Sequence, residues 1–227
     1  MVMKSSDIVN NIFINFFFNM TIAIDINDVI RDYTRQFIKY YQKVIDPSFE
    51  IEYDDVNDFE FTNIFPFLDE NGNVDKNQYY RFKYEDCAFE VFGRADVMER
   101  KLPSDFNLWT QNTLKNFDAD NIPEVIIVSP FEMNLSIQST LFFLSKIGVR
   151  VRKYYFPLDS QTIWDKCDIL ITANPNLIKN KPEGKTVFKI NAPYNKEAEA
   201  LPEYTFDSLC DIIHDEKKTL INLIEKQ

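Results

Sequence analysis

Apolar and polar positions change their spacing in a regular way along this chain. Thr21-Ile22-Ala23-Ile24-Asp25-Ile26 is a short apolar, β-branched run without helical period, which predicts a buried strand over 21–26. Val29, Ile30, Tyr33, Phe37, Tyr40, Tyr41 and Val44 then fall three and four apart, predicting a helix over 29–44 that Asp46-Pro47 ends. Regular alternation returns at residue 104. Ser104 is suited to cap a helix carrying Asn107, Leu108, Leu114 and Phe117. Val125-Ile126-Ile127-Val128-Ser129 reads as a second buried strand ending in a hydroxyl. Leu135, Leu141, Phe142 and Leu144 mark the apolar side of the next helix, which Gly148 stops by adopting positive φ. Strands over about 149–155, 168–172 and 186–190 follow, with a short helix after Pro175 between the last two. Asp207 or Ser208 starts a closing helix that runs nearly to the end.

Strands alternating with helices predict the α/β class: a three-layer, Rossmann-like parallel sheet with helices on both faces. No repeat period is visible. Residues 48–103 break the alternation. They are rich in acidic and aromatic side chains, as in Tyr53-Asp54-Asp55-Val56-Asn57-Asp58-Phe59, and Asp69-Glu70-Asn71-Gly72-Asn73 marks a turn. This segment reads as an insertion over the strand ends, with a helical piece around 75–92. Its Tyr and Phe residues at 79–92 suit core packing, with a stacking platform for a ring as the other reading.

Composition narrows the function classes. The 227 residues allow one packed domain plus an insertion. Four glycines, with no G-x-G-x-x-G or G-x-x-x-x-G-K pattern, argue against a glycine-rich phosphate loop. A net charge of -11 repels nucleic-acid backbones and anionic membranes, so broad nucleic-acid binding and membrane association are not expected. Arg150, Arg152 and Lys153 are the candidates for a local basic patch, a solvated strand end being the plainer reading. Cys87, Cys167 and Cys210 are far apart and lack metal-ligand spacing. The one histidine, His214, falls in a helix, so histidine-dependent triads are poorly supported.

Residues 1–19 contain Ile12-Phe13-Ile14-Asn15-Phe16-Phe17-Phe18, a run too short and interrupted to span a bilayer. No small-residue cleavage site follows it, so secretion is not expected. The segment is either an apolar arm that docks onto a partner or a leader preceding a start at Met20.

Three strand ends converge in such a sheet, bringing together Asp25, Asn27 and Asp28; Ser129; and Thr172, Ala173 and Asn174. Asp25 could act as a carboxylate nucleophile and Ser129 could hold a phosphate oxygen. Asp28 is expected to cap the next helix.

These motifs resemble the haloacid dehalogenase-like (HAD) hydrolases, in particular the 5′(3′)-deoxyribonucleotidase-like branch frequent in phage genomes. The resemblance covers roughly residues 20–192. It implies a core over 20–47 and 104–227, a cap at 48–103, a nucleophile at Asp25 and a phosphate-binding hydroxyl at Ser129. The family's first motif is Asp-x-Asp, and here Asn27 replaces the acid. The third is a lysine ahead of the fourth strand. Pro157-Leu158-Asp159-Ser160-Gln161-Thr162 offers none, and Lys166 sits close to the strand. The fourth reads Asp-x-Leu-Ile-Asp-Asp, and here Asp168-Ile169-Leu170-Ile171-Thr172-Ala173 keeps the opening Asp but lacks both site carboxylates.

An amide cannot act as an acid, a loss of about 10²–10⁴-fold in rate. Without its carboxylates the site has a poor cage for Mg²⁺, leaving Asp25 as the one metal ligand if metal binds. The resemblance therefore implies a degraded enzyme without a cofactor. Its role would be as a structural or assembly component, its partners being other protein chains met through the insertion and the arm. A composition heavy in Asn, Ile, Lys, Phe and Tyr suggests an AT-rich genome, and hence a phage virion or the host cytoplasm. The alternative is an active Mg²⁺-dependent 5′-nucleotidase or phosphatase.

Overall fold

The computed structural model describes residues 20–112 and 123–225. The arm at 1–19 and the helix positions Leu114 and Phe117 lie outside them. Six strands form one all-parallel sheet: β1 (Thr21–Asp25), β2 (Glu124–Val128), β3 (Tyr154–Tyr155), β4 (Ile169–Thr172), β5 (Thr186–Ile190) and β6 (Thr205–Phe206), in the order β3-β2-β1-β4-β5-β6. This is the order of a doubly wound, Rossmann-like sheet. The chain moves outward from β1 through β2 to β3, then returns to place β4 on the other side of β1. The crevice above β1 and β4 is therefore the switch point, where open α/β sheets take ligands.

The helices are α1 (Tyr33–Val44), α2 (Lys76–Arg81), α3 (Leu102–Asn112), α4 (Leu135–Lys146), α5 (Ser160–Trp164), α6 (Pro175–Lys179), α7 (Leu209–Ile213) and α8 (Thr219–Glu225). Strand residues alternate between the two faces. Ile22, Ile24, Ile127, Ile169, Ile171 and Phe188 join a core that takes in Phe37 of α1, Phe106 of α3, Phe143 of α4 and Leu209 of α7. Ala23, Ile126, Val128, Leu170 and Val187 face the other way, onto Ile163 and Trp164 of α5 and Leu177 of α6. Both faces are thus covered, which is what lets the strands be apolar throughout.

The 48–103 segment has no separate core. Phe61, Phe65, Phe67 and Phe82 pack around Phe37 with ring centres 4.8–6.4 Å apart, in the same apolar cluster as the sheet. After α2, which Asp75 caps through the N–H groups of Asn77 and Gln78, the helical path widens. Cys87 N–H bonds to the Phe82 carbonyl and Arg94 N–H to that of Phe89, each five residues back.

Four expectations are corrected. Ser104, expected as a cap, lies inside α3, with its hydroxyl donating to the Lys101 carbonyl. The first helix begins at Tyr33, not at 29. Asp28 sits at φ 55°, and both the Ile30 and Arg31 N–H groups bond to the Ile26 carbonyl, so 26–32 is a tight loop. The strand expected over 149–155 pairs with β2 only at Tyr154 and Tyr155; the Arg150 N–H is instead taken by Asn107 Oδ1. The closing helix is two short ones. Ser208 caps α7, but Lys218 takes a positive φ and Asp215 accepts the N–H groups of Lys217 and Thr219, restarting the helix at α8. Gly148, at φ 71°, follows the end of α4 as expected. Among the described residues no helix is long and apolar enough to cross a membrane.

Candidate functional site

β1 and β4 pair in parallel, and this register brings Asp25 and Thr172 together at the carboxyl edge. The Thr172 hydroxyl donates to Asp25 Oδ2 at 2.7 Å, and the Ile26 N–H donates to Oδ1 at 2.8 Å. Thr172 Oγ1 in turn accepts the Asn174 N–H at 3.0 Å. Asp25 is 2% exposed. Burial pushes its carboxyl up to about 7, outweighing the lowering effect of these bonds and of Arg31. The threonine that stands where the resemblance places a metal-holding acid is thus a clamp on the nucleophile position.

Asn27, at the acid position, is also engaged. Its Oδ1 accepts from Arg31 Nε at 3.0 Å and from Nη2. The Arg31 guanidinium is fully buried and lies 4.8 Å from the centre of the Phe92 ring. It donates to the Phe92 carbonyl at 3.2 Å, to Thr140 Oγ1 at 2.6 Å and to Glu132 Oε1 at 2.7 Å. Ser129 Oγ and Thr140 Oγ1 donate to the same Glu132 carboxylate. Ser129 is therefore fully buried in a closed ion-pair network, bonded to a side chain three residues on, and it does not line the cavity described below.

The remaining sequence candidates divide between structural bonds and the cavity wall. Asp28 caps α1: it accepts the Thr34 N–H at 2.9 Å and the Thr34 hydroxyl, and Tyr194 OH adds a third bond at 2.8 Å. Asn174 caps α6 through the Asn176 and Leu177 N–H groups. Asp168 accepts the Thr21 N–H and pairs with Lys185, tying β4 to β1 at the end opposite the site. Lys166 lies 4.7 Å from the Tyr155 ring centre, and Lys153 pairs with Glu124. His214 is exposed and bonds to Asp105.

Above Asp25 lies a cavity of about 330 Å³. Asp25, Asn27, Asp28 and Asn174 line its floor, while Phe59, Phe61, Tyr79, Tyr80, Lys83 and Tyr84 of the insertion form its roof. Tyr33, on the Lys83 side, and Tyr194 also line the cavity. Two roof-side features were not visible as site residues in the sequence. Tyr33 is 6% exposed, and its hydroxyl has no partner. Lys83 forms no ion pair among the described residues; its ammonium lies against the rings of Tyr84 (4.9 Å), Tyr33 (5.5 Å) and Tyr79 (5.6 Å), and donates to Tyr79 OH at 3.3 Å. Arg31 and Glu132 were missed as well. The partners are 101 residues apart in sequence, and Arg31, beside Asp32 and close to Asp28 and Arg35, carries no local mark of burial.

The donor set does not suit Mg²⁺. Both Asp25 oxygens and Asn27 Oδ1 already accept bonds, Asn174 Oδ1 is spent on a cap, and no three of His, Cys, Asp and Glu converge among the described residues. No protein-family model matches the chain, and no curated protein matches it.

Proposed function

We propose that the chain is a HAD-like protein whose phosphotransfer centre no longer turns over, with residues 48–103 as its cap. In this reading it acts by binding, as a structural or assembly component, and a phage virion is the setting its composition suggests. One observation carries the reading: the side chain at the acid position, Asn27, is an amide held by the buried Arg31–Glu132 pair, which also takes up Ser129. An amide at Asn27 supplies no acid, and phosphate binding at Ser129 would require that network to open. Exposed apolar side chains before and along α4, among them Phe131, Met133, Leu135 and Phe142, support a role in protein contacts.

The second reading, a Mg²⁺-dependent 5′-nucleotidase, is favoured by the position of Asp25 on the cavity floor at the switch point. Deoxynucleoside monophosphates incubated with the protein and Mg²⁺ separate the two. Phosphate release is expected to equal that of Asp25→Asn; robust release abolished by that substitution would establish the nucleotidase.

A further inference from the structure

α4 distributes its side chains in the reverse of a surface helix. Its buried side holds Phe143 and Leu144 but also Ser136, Ser139 and Thr140. Its outward side holds Leu135, Leu141 and Phe142, which are 55%, 43% and 46% exposed. A helix that meets water ordinarily turns polar side chains outward. The small buried residues have local reasons. Thr140 belongs to the Arg31–Glu132 network, Ser136 bonds to Met133, and a Cβ on Gly93 would lie 3.3 Å from the Ser139 carbonyl, so the 48–103 segment packs close against the helix there. None of this accounts for the apolar outer side. Phe89, 41% exposed, extends that side, its ring centre 5.0 Å from that of Phe142. Val44 and Leu108, by contrast, stand alone as exposed apolar side chains on α1 and α3.

Charge indicates what covers this face. A net charge of -11 makes copies of the chain repel one another, except through a face that carries no charge. From Leu135 to Ser145, α4 has no charged residue. Charges stand only at its two ends. Glu85 accepts the Asn134 amide at the start, and Lys146 donates to the Gly93 and Ala95 carbonyls at the finish. Both are exposed, and neither has an oppositely charged partner among the described residues. An apolar stripe with an acid at one end and a base at the other is complementary to itself when turned end for end. A twofold axis across it brings each Glu85 to the partner's Lys146.

We propose that the outer side of α4, with Phe89, is the interface of a twofold-symmetric dimer of this chain, α4 lying antiparallel against its copy. An axis beside Gln138 sets Leu135 against the partner's Phe142. It also brings the two Gln138 amides together, where each can donate and accept. The proposal rests on the reading of this surface as a protein contact and names its partner.

Sedimentation equilibrium of the full chain, 26.9 kDa, tests it. Twice that mass is expected at micromolar concentration. Leu141→Glu combined with Phe142→Glu should leave a monomer whose near-ultraviolet circular dichroism stays native. Glu85→Lys and Lys146→Glu should each weaken the dimer about tenfold, and the two together should restore it. A monomer at every concentration up to about 100 µM overturns the proposal, whether the face is then met by residues 1–19, by another protein or by nothing. A dimer that survives both glutamates overturns it, as does a double charge reversal no tighter than the single ones. Loss of catalysis is a separate matter, read from phosphate release.

Discussion

The floor and the roof of the cavity handle polar groups in opposite ways. On the floor, both Asp25 oxygens, the Asn27 carbonyl and the Asn174 carbonyl are each matched to a donor from the protein itself. On the roof, the Tyr33 hydroxyl has no partner and Lys83 has no counter-charge among the described residues. The floor's oxygens are matched within the protein, and what it leaves open are the Asn27 and Asn174 amide NH2 groups, which have no partner among the described residues. The unpartnered Tyr33 hydroxyl is a standing cost to the fold. The contrast sets matched oxygens at the strand ends against one unmatched group on α1, Tyr33, and one on the insertion, Lys83.

The largest effect that would break this contrast lies under the floor. Arg31→Met strands Glu132 without its cation in a site where both partners are buried. It should lower unfolding free energy by about 3–5 kcal/mol in urea denaturation. Loss of less than 1 kcal/mol would mean that the network does not hold the floor together.

Next in size is Asp25 itself. Its folded-state carboxyl, near 7, lies above the ordinary value of 3.8, so between those pH values the folded chain keeps a proton that the unfolded chain has lost. Stability contributed by this group is therefore full below pH 4, falls as pH rises, and reaches its floor above pH 7. Asp25→Asn removes the burial cost of the charge. Relative to the parent it should be stabilised by about 4 kcal/mol at pH 8 and by little at pH 4, read from thermal melts at both values. A gain that does not change with pH would contradict the assignment.

A smaller pair sharpens the contrast at the level of single hydroxyls. Tyr33→Phe deletes an unpartnered group and should raise stability of the ligand-free protein by about 1 kcal/mol. Tyr41→Phe deletes a hydroxyl that donates to the Pro66 carbonyl at 2.8 Å, and should cost about 1 kcal/mol. Effects of the same sign would remove the distinction between the two.

The sheet was legible because burial on both faces leaves a plain mark: runs such as Val125–Val128 and Ile169–Ile171 have no other use. The cap at Ser208 and the stop at Gly148 rest on local chemistry, whereas Ser104, expected as a cap, lies inside α3. The convergence of Asp25 and Thr172 followed from strand order alone. What escaped was long-range. The apolar spacing of Val29 and Ile30 continued that of α1, and only the backbone bonds to the Ile26 carbonyl show that they belong to a loop. Ser129 looked like a phosphate ligand, but its hydroxyl donates to Glu132, and Lys83 was not singled out at all, though Tyr33, Tyr79 and Tyr84 surround it. The partners of Lys83 are assembled by the fold, whereas Glu132 stands only three residues after Ser129 and is fixed there by the buried Arg31.

Phosphate release from a deoxynucleoside monophosphate, compared with Mg²⁺ and with chelator in the parent and in Asp25→Asn, bears most directly on the closed floor. Four indistinguishable rates at background are expected. A parent rate that rises with Mg²⁺ and collapses in Asp25→Asn would show that the floor opens, takes the metal and reacts.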